Sequence, residues 1–300
     1  MRQGWPMVTV AHQAFDQLVS EVNRQAGCQL RFAGTAELGE TAGAALVEWP
    51  DGRPSVLTTA TVSLDVMTAT AEALSVAHAN RCPVPRHELV VQLESGVVAV
   101  VQERLPGHHP TGVDEDLIDL LVTANDGFAD LLVARPELVL PHIDLSGLGS
   151  ADLQEPLKQY SDRSRRLLQQ LQRVEQPARE PQREDLVHSD LTVSNMLVQD
   201  HQVSGVIDWN NGAFRGDRGF ALVKLLFDLT WEAAAPNGGR HRVQAGGLTR
   251  LEQVLQETVD PGDLQSYWAH WTLQMLHWTI RAANTTVIDL HLDLGERGLY

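Results

Sequence analysis

The chain has 300 residues, 43% of them hydrophobic and 21% charged, with 39 acidic against 23 basic side chains for a formal net charge of −16. That length exceeds the ~100–150 residues of one compact domain and predicts two packed lobes, and the composition excludes disorder throughout. The acidic balance excludes a nucleic-acid binder, which needs clustered Lys and Arg, and no apolar run approaches the ~20 residues of a membrane span.

The opening residues, Met1 to Pro6, lack the apolar segment of a secretory signal. Cys28 and Cys82 make neither a disulfide framework nor a metal-ligand spacing, so a cytoplasmic protein is expected. The first hundred residues predict strands around one helix: Gln29–Ala33, Ala44–Trp49, a hairpin turn at Asp51-Gly52, and a returning strand over Pro54–Thr61. A helix is predicted over Leu64–Ala79 with Ser63 as its N-cap, ended by Cys82-Pro83-Val84-Pro85. A second hairpin follows, His87–Leu93 and Val97–Gln102, before Leu105-Pro106-Gly107 breaks the pattern. Beyond that break the chain reads as mostly helical: Asp114–Ala134, Ser150–Gln172, Phe220–Ala235, Gly247–Glu257 and Pro261–Asn284. Val174–Glu184 is expected to be a surface connection. Two short apolar runs, Asn195–Gln199 and Val203–Asp208, form a further hairpin around Asp200-His201-Gln202. The expected class is α+β, with a small antiparallel-sheet N-lobe over 1–104 and a larger, mostly helical C-lobe over 105–300.

The residues that carry chemistry lie in His188-Ser189-Asp190-Leu191-Thr192-Val193-Ser194-Asn195 and in Ile207-Asp208-Trp209. An Asp in a loop, an Asn five residues on and an Asp thirteen beyond that, on the next hairpin, is the order that kinases use. Phosphoryl transfer to a hydroxyl needs a carboxylate that orients the nucleophile and accepts its proton, together with oxygen ligands for magnesium. Asp190 is the expected base; Asn195 and Asp208 are the expected metal ligands.

His188–Leu197, Ile207-Asp208-Trp209 and Gly216-Asp217 resemble the catalytic core of the aminoglycoside phosphotransferases, which share a bilobal fold with choline kinases and protein kinases. Val101–Gly107 resembles that family's hinge between lobes. The resemblance covers nearly the whole chain and implies an ATP-dependent (or GTP-dependent), magnesium-requiring small-molecule kinase. It implies that the backbone of Gln102, Glu103 and Arg104 meets the nucleotide base. By the same resemblance Asp217 and His188 are structural supports of the catalytic loop.

At the phosphate end the chain departs from the family. Gly39 and Thr41 lie where a phosphate-covering loop is expected, with only two glycines in Leu38–Ala45. Thr58 stands where the family carries a lysine, and Glu72 is the best match for that lysine's helix partner. The first 157 residues contain no lysine; the only two in the chain are Lys158 and Lys224. Three readings follow: magnesium and amides suffice, with an arginine such as Arg53 swinging in; a different nucleotide or pose is used; or the chain binds a nucleotide without turnover.

By the family pattern the acceptor pocket involves Asn210, Asn211, Asp228, Trp231, Glu232, His277, Asp289, Asp293, Glu296 and the Tyr300 carboxylate. Residues 105–300 hold 28 acidic and 16 basic side chains, a balance of −12. Such a surface steers cations, so the expected acceptor is a hydroxylated cationic small molecule, an aminoglycoside or a basic cyclic peptide antibiotic of the viomycin and capreomycin kind. The alternatives are a choline- or sugar-type metabolite kinase and a catalytically silent nucleotide-binding module. Trp268, Trp271 and Trp278 on one helix are read as core packing.

Overall fold

In the computed structural model, which describes residues 7–36, 43–143, 145, 151–174, 183–235 and 239–298 and side chains from Ala14 onward, the first hundred residues form a helix-covered sheet. Helix α1 (Met7–Ala26) leads into strands β1 (Arg31–Thr35), β2 (Ala45–Glu48) and β3 (Pro54–Ala60), followed by helix α2 (Leu64–Ala79) and strands β4 (His87–Gln92) and β5 (Val98–Glu103). The sheet order is β1-β2-β3-β5-β4, every neighbour antiparallel. Gly52, at φ +83°, makes the expected turn between β2 and β3. Alternation divides the sheet into two faces. Leu57, Ala99 and Val101 pack with Val19 and Val22 of α1, while Val98 and Val100 pack with Met67 of α2.

Helix α2 runs as expected, with the Ser63 hydroxyl accepting from the Val66 amide at its start. Helix α1 is an addition to the expected strands around one helix. Its apolar positions, Phe15, Leu18, Val19 and Val22, follow the i, i+3, i+4, i+7 spacing that buries one face. A sheet with one covered face would leave Leu57 and Val101 in water, so the second helix is what the alternation of β3 and β5 demands.

From β5 the chain passes through Leu105–His108, which is stitched to the later hairpin β8 (Met196–Gln199) and β9 (Gln202–Val206). His108 and Val198 exchange backbone hydrogen bonds of 3.1 and 2.9 Å, and the Ser204 hydroxyl donates to the Pro106 carbonyl at 2.7 Å. Between that segment and the hairpin lie β6 (Gly112–Val113), α3 (Glu115–Asp126), α4 (Ala151–Tyr160), α5 (Asp162–Leu171) and β7 (Asp185–His188). After it come β10 (Ala213–Gly216), paired with β7, then α6 (Gly219–Ala234), β11 (Arg242–Val243), α7 (Ala245–Thr258), α8 (Pro261–Arg281) and α9 (Thr285–Arg297).

Several expected helices are shorter than their apolar patterns. The helix expected over 114–134 stops at Asp126; the turns beyond are held by Asp185, whose carboxylate accepts from the Asp130 amide at 2.8 Å. The helix expected over 150–172 divides at Ser161, where Ser161 and Ser164 cap each other reciprocally and start α5. The last expected helix ends at Arg281, and Asn284 caps α9, which the sequence pattern left unassigned. Most of the connection expected over 174–184 lies outside the described residues. Trp268 and Trp271 are buried as expected, whereas Trp278 is 63% exposed.

Gly107 sits at φ +110°, and an added Cβ would collide with the Ser204 hydroxyl and lie 2.8 Å from the Val198 carbonyl. Gly107→Ala should therefore lower unfolding free energy by roughly 1–3 kcal/mol, as strained backbone positions do. Urea denaturation checks this; an unchanged midpoint would refute the close packing of the hinge on the β8–β9 hairpin.

Candidate functional site

The strand β7 delivers His188 to the end of a buried ladder, and the loop after it carries Asp190. The His188 ring is fully buried and makes two directional bonds. Its Nδ1 accepts from the Asp190 amide at 3.0 Å, and its Nε2 lies 2.9 Å from the Ile207 carbonyl. An amide can only donate and a carbonyl only accept, so the proton resides on Nε2 and the ring is neutral. Burial pushes its pKa below the ordinary histidine value, which keeps it so. One imidazole thus joins the Asp190 loop to the strand end that precedes Asp208.

Asn195, 8% exposed at the end of a 3-10 turn (Val193–Asn195), donates from Nδ2 to the Asp190 carbonyl at 2.8 Å, and its own carbonyl accepts from the Ile207 amide at 2.9 Å. The side-chain bond fixes the amide orientation and leaves Oδ1 as a free acceptor. Asp208 has φ +65°, an uncommon conformation for a residue with a Cβ. It is held there by Trp209, which is completely buried, donates from Nε1 to the Val206 carbonyl at 2.9 Å and lies 4.3 Å from the His188 ring. Burial raises the Asp208 pKa, and the Asp190 charge adds to that rise. A carboxylate strained, partly desolvated and near another carboxylate is suited to a cation. Among the described residues no three His, Cys, Asp or Glu side chains converge as a metal cage. One carboxylate and one amide oxygen fit magnesium, which takes its remaining ligands from phosphates and water.

The position expected to lack a lysine is occupied by a relay of neutral groups. Thr58 on β3 is buried, and its hydroxyl donates to Asn210 Oδ1 at 2.9 Å; Asn210 Nδ2 donates to Asp208 Oδ1 at 2.7 Å. Next to it, the Thr61 amide donates to the Asn210 carbonyl at 3.1 Å and the Thr61 hydroxyl to Asn211 Oδ1 at 2.7 Å. The sheet is therefore tied directly to the segment carrying Asp208. Glu72 does not take part: it is exposed and has no partner among the described residues. Arg53 is engaged at the β2–β3 hairpin by Asp51 and Glu88 and stacks on Trp49, so it does not substitute for the lysine. Gly39 and Thr41 lie outside the described residues.

At the hinge, Gln102 is buried on the same face of β5 as Val98 and Val100, with Oε1 lacking a partner; the Glu103 amide donates to the Arg86 carbonyl at 2.9 Å, and Arg104 is exposed. Asp217 is buried and fully engaged. Its carboxylate accepts from the Gly219 amide at 2.8 Å and from the Tyr267 hydroxyl at 3.2 Å and lies 3.6 Å from Arg183, tying α6 and α8 to the segment that enters β7.

The residues expected to bind the acceptor divide into two groups. On α6, Asp228 accepts from Lys224 Nζ at 2.5 Å, and Glu232 accepts from the amide and ring of His241 at 2.9 Å. Trp231 stacks on His291. His277 and Glu296 belong elsewhere: His277 is buried with Nδ1 3.3 Å from the Leu153 carbonyl on α4, and Glu296 with Asp293 holds Arg163 of α5. Asp289 is exposed, and Tyr300 lies outside the described residues. Lys224, His241 and Arg163 thus take up most of the carboxylates expected to meet a cationic acceptor. Lys224 itself was visible in the sequence as the one charge inside the apolar run Ala221–Phe227, a signal that marks a paired, buried ion.

The profile of a phosphotransferase enzyme family matches residues 32–257. No curated protein sequence is similar enough to match. Among solved structures the chain is similar to a thermostable mutant of aminoglycoside phosphotransferase APH(4)-Ia in its apo form (13% identity, TM-score 0.69, covering 94% of this chain and 98% of that one). It is likewise similar to APH(2")-IIia in its GDP and kanamycin complex (16%, 0.63, 94% and 98%) and to amicoumacin kinase hAmiN in complex with AMP-PNP, Ca2+ and Ami (14%, 0.61, 95% and 96%). These likenesses confirm the kinase-like fold expected from the sequence.

Two outcomes test this geometry. Asn210→Ala should leave the fold intact yet weaken magnesium–nucleotide binding by roughly tenfold or more, the worth of one hydrogen bond to a charged group; calorimetric titration with magnesium and AMP-PNP measures it. The His87 ring is buried opposite Gln102 across the β4–β5 pairing, and burial lowers His87 and His291 to about 4 and His188 below its ordinary value. Below the unfolded pKa near 6.5 the unfolded chain takes up protons that the folded chain refuses. Stability from these groups is therefore complete above that pH and is lost as pH falls toward 4. Asp228, which burial raises to about 6, works in the opposite sense. His87→Leu should flatten the acid slope of unfolding free energy by up to ~1.4 kcal/mol per pH unit in that window; an unchanged slope would contradict the burial of its ring.

Proposed function

The chain belongs to the phosphotransferase enzyme family, and from that membership we propose that it transfers the terminal phosphoryl group of ATP or GTP to a hydroxyl of a small-molecule acceptor, with magnesium. The observation that carries this reading is the single hydrogen-bonded unit that His188 and Asn195 make of the Asp190 loop and the Asp208 strand end.

Within that unit Asp190 accepts the acceptor's hydroxyl proton while the oxygen forms its bond to phosphorus and the nucleoside diphosphate leaves. Asn195 Oδ1 and the Asp208 carboxylate would hold magnesium, which when bound neutralises charge on the phosphates. Thr58, through Asn210, keeps Asp208 oriented in place of the family's lysine. Gln102 Oε1, a buried acceptor without a partner, suits a donor on the nucleotide base. His188 stays neutral and serves as a support.

For the acceptor, the −12 balance of residues 105–300 favours a hydroxylated cationic compound, an aminoglycoside or a basic cyclic peptide antibiotic, whose phosphorylation would confer resistance. The names of the similar structures, complexes with kanamycin and with amicoumacin among them, agree with that class. A second reading, a metabolite kinase with a neutral acceptor, is favoured by the internal pairing of Asp228, Glu232 and Glu296 with Lys224, His241 and Arg163.

Mass spectrometry of mixtures containing MgATP and either hydroxylated cationic antibiotics or neutral sugars and amino alcohols should show one added phosphoryl group in one class. Asp190→Ala should lower turnover by about 10²–10⁴-fold, the range of a general base. Asp208→Ala should abolish metal-dependent turnover. Asn195→Ala should be milder and partly rescued by added magnesium. Near-normal rates in Asp208→Ala would overturn the metal assignment; nucleotide binding with no product in any class would favour a silent binding module.

A further inference from the structure

Lys224 lies in the interior of α6, flanked by Val223, Leu225, Leu226 and Phe227, and is 4% exposed. An ammonium so placed is costly unless carboxylates surround it. Two do. Its Nζ is 3.1 Å from Asp190 Oδ1 and 2.5 Å from Asp228 Oδ2, and it lies 5.5 Å from the centroid of the Trp271 ring. The three side chains are not equally accessible: Lys224 is interior and Asp228 is largely covered, but 36% of the Asp190 side chain is open. Asp190 is thus the member that looks out of the protein, and its Oδ1 lies 3.1 Å from the lysine.

We propose that Lys224 is the positioning residue for the base, clamping Asp190 through Oδ1 so that Oδ2 faces the acceptor, while Asp228 holds the lysine from the other side. This rests on the phosphotransfer reading above. The carboxylate–ammonium–carboxylate arrangement keeps a net charge of one negative and still fixes the carboxyl plane. The backbone of Asp190 is held separately by His188 and Asn195, so the peptide and the side chain are anchored by different elements. That division matters because a misplacement of about 1 Å at a reacting group can cost on the order of 10²-fold in rate.

The chain's lysine content makes this testable without an identified acceptor. Protein labelled with [13Cε]lysine has two lysine signals, from Lys158 and Lys224, assigned with Lys158→Arg. Asp190→Asn, a change at a half-open side chain, should shift the Lys224 signal and leave Lys158 in place. In kinetics with MgATP and water as acceptor, Lys224→Met should lower kcat by about 10- to 100-fold with the KM for ATP within twofold, and Lys224→Arg should recover part of the loss. Lys224→Met placed on Asp190→Asn should cost nothing further. Asp228→Asn, which retains the clamp but concentrates the lysine's charge on Asp190, should also lower kcat without changing KM, and serves if Lys224→Met does not fold. An unmoved Lys224 signal in Asp190→Asn overturns the clamp. A Lys224→Met protein that loses thermal stability but keeps its kcat reduces the lysine to a structural role and overturns it too. A wild-type protein that transfers phosphoryl neither to water nor to any compound of the acceptor panel overturns the phosphotransfer reading itself, a result distinguishable from an active wild type with an equally active Lys224→Met.

Discussion

One neutral imidazole organises the site. His188 accepts from the Asp190 amide on one side and donates to the Ile207 carbonyl on the other, so two segments nearly twenty residues apart in sequence share a fixed separation. The arrangement requires a ring that stays uncharged, because a protonated Nδ1 would face an amide hydrogen. Full burial against Trp209 supplies that condition. Other features follow from it. Asp208 can occupy its left-handed conformation because Ile207 and Trp209 are pinned on either side. Asn195 can direct its free oxygen outward because its nitrogen is committed to the same loop.

The sheet reaches this centre by hydrogen bonds between neutral groups. A lysine at the Thr58 position would bring its charge to the phosphates and depend on a helix carboxylate for alignment. Thr58 and Asn210 instead connect β3 to Asp208 itself, and Glu72 is left in solvent. The positive charge of the site has moved from the sheet to the helical part, where Lys224 sits behind Asp190. Under the phosphotransfer reading proposed above, phosphate charge would be met by magnesium, and the buried cation of the protein lies beside Asp190 instead.

Much of this was legible in the sequence. The loop of Asp190 and Asn195 and the hairpin that ends before Asp208 were drawn correctly because short spacings leave little conformational choice, and Ser63, Asp51 and Gly52 mark their caps and turns by local chemistry. The elements that were missed or mis-drawn depend on partners distant in sequence. Helix α1 exists because β3 and β5 have two apolar faces to cover. The helix over 150–172 divides because two serines cap each other, a choice that apolar periodicity does not record. The acceptor residues were the least legible. Asp228, Glu232 and Glu296 look available in a sequence, and only tertiary structure reveals that Lys224, His241 and Arg163 reach them first.

The stitching of Leu105–His108 to the β8–β9 hairpin has a mechanical corollary. The strand pair that ends just before Asp208 and the segment that leaves β5 form one rigid piece, joined by the His108–Val198 bridge and locked where Gly107 allows no extra atom. Tilting of the sheet would pivot about that piece and leave its internal span unchanged. The exit from β5 and the strand end before Asp208 are therefore set at one spacing by the same few backbone contacts.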